Sequence, residues 1–160
     1  MVIATGATWG VDWLWGVSLI VICVVIHVIG LMLIYREAVK AMSLAVVRRH
    51  FVPMFIVVMG IVALLAAALH GLESALWGGA YRLLDALPDD RSAMLYSLSA
   101  MTSYGHADLF LKGPWQLMGA LQALNGTLLF GLTTAFLFAM IREIWEIEGC
   151  RIQTQQKPSM

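Results

Sequence analysis

The stretch Thr102-Ser103-Tyr104-Gly105-His106-Ala107-Asp108-Leu109 sets hydroxyls, an imidazole and a carboxylate around a glycine, between a segment too short to cross a membrane and one long enough to do so. A short buried helix, a glycine-containing turn with an aspartate, and then a charge-free apolar helix read as a re-entrant loop whose backbone oxygens can replace the hydration shell of a cation. Elsewhere, His27, His70 and Glu73 stand inside apolar runs, where ionisable side chains are costly and often functional. His70 and Glu73 are three residues apart and share a helix face. With His27 they form a candidate proton-sensitive cluster or, the favoured reading, neutral hydrogen bonds that join one helix to its neighbours. Metal binding is not expected of them, because no third or fourth ligand follows at suitable spacing.

The elements that must position these residues follow from composition. Sixty-one percent of the residues are apolar and 12% are charged, with a mean hydropathy of +0.83, against roughly a quarter charged in soluble domains. The chain is therefore expected to be an all-α integral membrane protein, and its balanced charge gives no reason to propose nucleic acid as a partner. Cys23 lies in an apolar run and Cys150 among polar residues beyond the last helix, so both read as unpaired. Three runs reach the roughly 20 residues that a spanning helix needs. They are Val11 to Ile34, Pro53 to about Tyr81, and Trp115 to Ile141, which holds no charged residue. Ser92 to Thr102 is about half the required length and must enter and return. The first run is expected to be a retained helix and not a cleaved signal, since no Lys or Arg precedes Arg36 and its apolar core is too long.

Arg36, Lys40, Arg48 and Arg49 follow the first run, and Arg142, Arg151 and Lys157 follow the third. The positive-inside tendency makes both regions cytoplasmic, with the amino end outside and the carboxyl end inside. The half-length segment then faces outward with Asp85, Asp89, Asp90 and Asp108 against Arg82, Arg91 and Lys112, a slight acidic excess that concentrates cations. Trp13, Trp15, Tyr35, Trp77, Tyr81, Trp115 and Trp145 fit interfacial belts, with ordinary packing as the alternative for each. No internal repeat is visible, and Gln153 to Met160 reads as a polar tail.

Non-helical backbone at membrane depth is tolerated only where protein buries it or where it lines a water-filled path. One loop cannot encircle an ion, so closure demands a ring of identical chains. A helix ending at Thr102 would turn its partly negative end toward the axis. From Ala93 to Ala139 the chain resembles the pore domain of tetrameric potassium channels, in particular small bacterial members with one additional amino-terminal helix. The family pattern Thr-Thr-x-Gly-Tyr-Gly-Asp is met by Thr102, Ser103, Gly105 and Asp108, Trp115 follows at the family's distance, and Asn125-Gly126 and Phe130-Gly131-Leu132-Thr133-Thr134-Ala135 are similar to its inner helix.

The resemblance implies three transmembrane helices plus a re-entrant pore helix and filter loop in a homotetramer. Its organisation would be an amino-terminal helix at 1–35, a cytoplasmic connector at 36–52, a pore domain at 53–146 (outer helix 53–84, pore helix and filter 92–109, inner helix 114–146) and a tail at 147–160. Its function would be passive conduction of potassium or another monovalent cation past carbonyls of Ser103, Tyr104, Gly105 and His106, with no cofactor and no catalysis. Its partners would be copies of itself and the lipid of a bacterial inner membrane. Membrane tension, pH, lipid and a separate regulatory chain are all open as triggers.

Three residues depart from that pattern. Ala107 replaces the second glycine, and a left-handed alanine costs about 1–2 kcal/mol. His106 replaces a tyrosine, with Tyr96 and Ser99 as candidate supports, and titrates near a pKa of about 6.5. Tyr104 replaces a small β-branched residue. Altered or reduced potassium selectivity and pH sensitivity are therefore expected. Gly126 and Gly131 are candidate hinges or close-packing positions; Asn125, Phe130, Thr133, Thr134 and Ala135 are candidates for the gate or cavity. The alternative is a membrane redox subunit without a pore, in which His27 and His70 ligate a haem. No nucleotide-binding glycine motif or catalytic triad is apparent.

Overall fold

Between Gly30 and Pro53 no glycine or proline interrupts the chain, and the first helix, α1 (Gly6–Val47), runs on well past its apolar stretch. Glu37 and Lys40 pair at 2.7 Å across one turn, which supports helix through the charged part. The computed structural model describes residues 6–47, 51–105 and 108–156. After α1 come α2 (Phe51–Leu83), α3 (Asp90–Met101), a 3-10 turn at Gly113–Trp115, and α4 (Gln116–Gln156). Among the described residues three helical stretches, Gly10–Ser43, Phe51–Leu83 and Gly113–Glu146, are long and apolar enough to cross a membrane. Side chains such as Leu14, Leu64 and Phe138 are left exposed, which suits a lipid solvent and not water. The protein is an all-helical, multi-span integral membrane protein.

The turn between α2 and α3 is built from local chemistry. Asp85 adopts a left-handed φ of 51°, a region that Asp tolerates better than most residues. Its amide bonds back to the Arg82 carbonyl and that of Ala86 to the Tyr81 carbonyl, closing the end of α2 in a Schellman arrangement. Asp89 caps α3 by accepting hydrogen bonds from the Ser92 amide at 2.9 Å and the Ser92 hydroxyl at 2.8 Å. These bonds, the amide's first, hold the Asp89 carboxyl below the usual range. The Lys112 ammonium does the same for Asp85, by hydrogen bond and then by charge.

Both folded-state values are depressed, so both groups stabilise the turn above the ordinary aspartate range near pH 3.9. That contribution is lost as pH falls through the folded values. Amide exchange at Ser92, corrected for its intrinsic pH dependence, is expected to accelerate in that acid window and to be flat from pH 5 to 7.

The chain divides into two compact units, the described residues of Met1–Val28 with Ala68–Gly131, and those of Ile29–Ala67 with Leu132–Met160. In the first, Leu19, Trp77, Tyr81, Met101, Met118 and Leu129 form the core. A polar chain runs through it. The Tyr81 hydroxyl donates to Gln122 Oε1 at 2.7 Å, Gln122 Nε2 donates to the Ser97 hydroxyl at 2.6 Å, and Ser97 donates to the Ser74 carbonyl. It ties α2, α3 and α4 together with each of these groups paired, as buried polar atoms require. Trp77 and Tyr81, both candidates for an interfacial belt, are instead fully buried, because Gln122 offers the tyrosine a partner inside. Two glycines of α4 make the fit close. A Cβ on Gly126 would collide with the Met101 carbonyl, and one on Gly119 with the Tyr96 hydroxyl.

The second unit packs Ala38, Met42, Phe51, Val58, Val62, Met140 and Ile144. Trp145 sets its edge against Phe51 and Phe55 at ring-centre distances of 6.0 and 5.9 Å. The Tyr35 hydroxyl donates to Glu143 at 2.7 Å.

Candidate metal centre

His27 comes from α1, and His70 and Glu73 from successive turns of α2. All three are buried. His27 Nδ1 lies 2.8 Å from Glu73 Oε1, and His70 Nδ1 lies 3.4 Å from Glu73 Oε2. The imidazole centres are 5.1 Å apart with planes tilted by 43°. One potential ligand atom from each residue falls within 4.8 Å of the others. Cys23, one turn before His27, is fully buried, with the Asn125 amide and the Trp77 indole beside it.

The expectation that no third ligand is available is overturned, and with it the expectation that nothing but a permeant ion is bound. His27 and Glu73 are 46 residues apart in sequence yet in hydrogen-bond contact. Helical spacing reports only neighbours on one helix, and the missing ligand arrives from another.

What can this arrangement do? Two imidazoles and a carboxylate form the donor set of catalytic zinc sites and of non-haem iron sites. Bond lengths near 2.0–2.1 Å at tetrahedral angles put neighbouring ligand atoms about 3.3 Å apart. The His70 contact, made to Glu73 Oε2, is close to that value at 3.4 Å, while the His27 contact, made to Oε1 at 2.8 Å, must lengthen, so side-chain rotation has to bring the three ligand atoms in from their 4.8 Å spread around one ion. A haem between His27 and His70 fits less well, because both imidazoles turn Nδ1 toward the Glu73 carboxylate. A carboxylate in this low-dielectric setting also favours a cation beside it.

Of the residues expected to line an ion path, Thr102, Ser103, Tyr104, Gly105 and Asp108 lie exposed beyond α3; His106 and Ala107 lie outside the described residues. Ser103 and Gly105 are left-handed, with φ of 55° and 77°. The amides of Tyr104 and Gly105 both bond to the Ser99 carbonyl, at 2.9 and 3.4 Å, so this segment folds back onto the last turn of α3. It forms one wall of an open cleft of about 540 Å³, with Tyr96, Phe110, Gln116 and Gly119 on the other sides. Tyr96 is half-buried and meets the edge of Tyr81 at 5.5 Å.

On α4, Asn125 is fully buried, Gly126 packs on Met101, and Phe130 stacks on His70 with ring centres 4.2 Å apart. A Cβ on Gly131 would meet no neighbouring group within 4 Å. Thr133 is buried while Thr134 and Ala135 are exposed. The structure thus brings together His27, His70, Glu73 and Phe130, which the sequence places in three separate segments.

Comparison of the chain with protein-family models, with curated proteins and with solved structures finds no match. The argument for function therefore rests on geometry. Sequence reasoning missed Ser97 and Gln122, although Gln122 carries the same signal as the histidines, a polar side chain within a charge-free apolar run.

Proposed function

We propose that the chain is a membrane subunit that holds a divalent transition-metal ion between its helices, with His27, His70 and Glu73 as ligands and no covalent catalysis of its own. The observation that carries this reading is the convergence of three buried ligand atoms within 4.8 Å at a depth where polar groups are costly. It keeps the histidine ligation of the redox reading and replaces haem by a compact ion. Iron or copper here makes the subunit redox-active, and zinc makes the site structural.

Elemental analysis of protein purified without chelators is the test. About one metal per chain is expected, with near-total loss in Glu73→Gln. A strong haem absorption band would replace the compact ion by haem, and metal-free protein that takes up no zinc, iron or copper would end the reading.

A second reading retains a homotetrameric cation path in a bacterial inner membrane, with the metal centre bracing its outer helices. It is supported by a capped helix of only 12 residues that ends in the left-handed Ser103 and Gly105 and seats on an inner helix at Gly126. In this reading α3 is the re-entrant element. Planar-bilayer recording under potassium/sodium bi-ionic conditions tests it, and silence from a verified tetramer counts against it.

A further inference from the structure

We propose that Phe130 is a positioning residue of the metal centre and that, through the turn of α4 from Gly126 to Phe130, metal occupancy controls the segment Thr102–Gly105 that closes α3. The inference rests on the metal reading above and adds to it a mechanical consequence.

The Phe130 ring lies nearly parallel to the His70 imidazole, with centres 4.2 Å apart and planes 21° from one another. Phe130 is 42% exposed, and its ring restrains rotation of His70 from the one face on which they stack. The orientation of His70 decides how Nδ1 is presented to the ion shared with Glu73, and groups that orient a ligand imidazole typically change metal affinity 10–100-fold when removed. A planar aromatic ring restricts the imidazole in a way that a flexible aliphatic side chain does not.

Gly126 lies four residues before Phe130 and so on the same face of α4. There the helix backbone rests directly on the Met101 carbonyl, with no room for a Cβ between them. Contact between backbones has no flexible side chain to absorb a displacement. The amides of Ser103, Tyr104 and Gly105 hang from the carbonyls of Ala100 and Ser99, one turn of α3 around Met101. A continuous set of packed groups therefore runs from His70 to Phe130, along one turn of α4 to Gly126, and through Met101 to the end of α3. Closure of the ligands around an ion requires the His27 to Glu73 contact to open, which turns the Glu73 carboxylate and the His70 imidazole beside it. Phe130 is the point at which α4 feels that movement. Coupling of this kind is reciprocal, so any force that moves the end of α3 changes metal affinity by the same factor.

The test uses the full chain in phosphatidylcholine/phosphatidylglycerol nanodiscs, with zinc as the probe and two readouts, affinity by competition with a chromophoric chelator and amide exchange at Ser103, Tyr104 and Gly105. In the wild type, saturating zinc is expected to change exchange at these amides by about 5-fold or more. Phe130→Leu is expected to bind zinc roughly 10–100-fold more weakly and, once saturated, to leave exchange unchanged. Phe130→Tyr keeps the ring and behaves as the wild type in both. Unaltered exchange in zinc-loaded wild type, or full transmission in Phe130→Leu, overturns the coupling while the metal centre stands. A wild type that binds no zinc, iron or copper removes the centre and the coupling together. The wild-type measurement requires no variant, so a misfolded Phe130→Leu protein does not shield the proposal.

Discussion

Replacing His27 with leucine is expected to strip the metal from the protein and to cost about 3–5 kcal/mol of stability, the usual penalty for leaving a buried carboxylate without its partner. Among the described residues Glu73 then keeps the His70 contact at 3.4 Å, and its other oxygen loses a 2.8 Å hydrogen bond at a buried position. Glu73→Gln has the opposite balance. It keeps an acceptor opposite His27 Nδ1 and removes the charge, so metal is lost for about 1 kcal/mol. The double variant His27→Leu/Glu73→Leu should be more stable than His27→Leu alone, because no unpaired carboxylate is left behind. Denaturation in mixed micelles with and without added zinc separates these contributions. A ligand that binds only the folded state raises stability with its concentration, so zinc should stabilise the wild type and neither single variant. A His27→Leu protein as stable as the wild type would mean that Glu73 does not depend on His27, and the centre would lose its basis.

Much of the fold is legible in the sequence because the bilayer imposes a length. Val11 to Ile34, Pro53 to Tyr81 and Trp115 to Ile141 are apolar for long enough to span, and Ser92 to Thr102 is not; the helices fall accordingly at Gly6–Val47, Phe51–Leu83, Gln116–Gln156 and Asp90–Met101. Periodicity is less informative about faces. A helix bathed in lipid is apolar on every side, so Trp77 and Tyr81 look the same whether they face the interface or the core. The site is harder to read for a related reason. His70 and Glu73 betray themselves through their spacing, but His27 joins them only because α1 lies against α2 at that level, and nothing local to residue 27 encodes that adjacency. The segment after α3 shows the limit of motif reasoning. Thr102, Ser103, Gly105 and Asp108 match a familiar pattern in order, while the matching residues carry no information about the hydrogen bonds that draw Tyr104 and Gly105 back to Ser99.

Three of the four glycines of α4, Gly119, Gly126 and Gly131, allow packing and hinge roles to be separated. Gly126→Ala is expected to destabilise by about 1–3 kcal/mol, the usual cost of overpacking, because the new methyl meets the carbonyl and Cα of Met101, and backbone cannot swing aside. At Gly119 the obstruction is the Tyr96 hydroxyl, the far end of a side chain that can turn, so alanine there should cost less. At Gly131 an added Cβ would meet no neighbouring group within 4 Å, and alanine should stabilise the helix by up to about 1 kcal/mol through its lower backbone entropy. The expected order of stability is therefore Gly131→Ala, wild type, Gly119→Ala, Gly126→Ala, read from denaturant midpoints in mixed micelles. A hinge role for Gly126 makes a different forecast. Alanine would then stabilise the straight helix at 126 as it does at 131, and the loss would be in motion and not in folding. Equal gains at both positions would sink the packing account, and would also deprive Phe130 of the rigid support through which α4 answers to the metal.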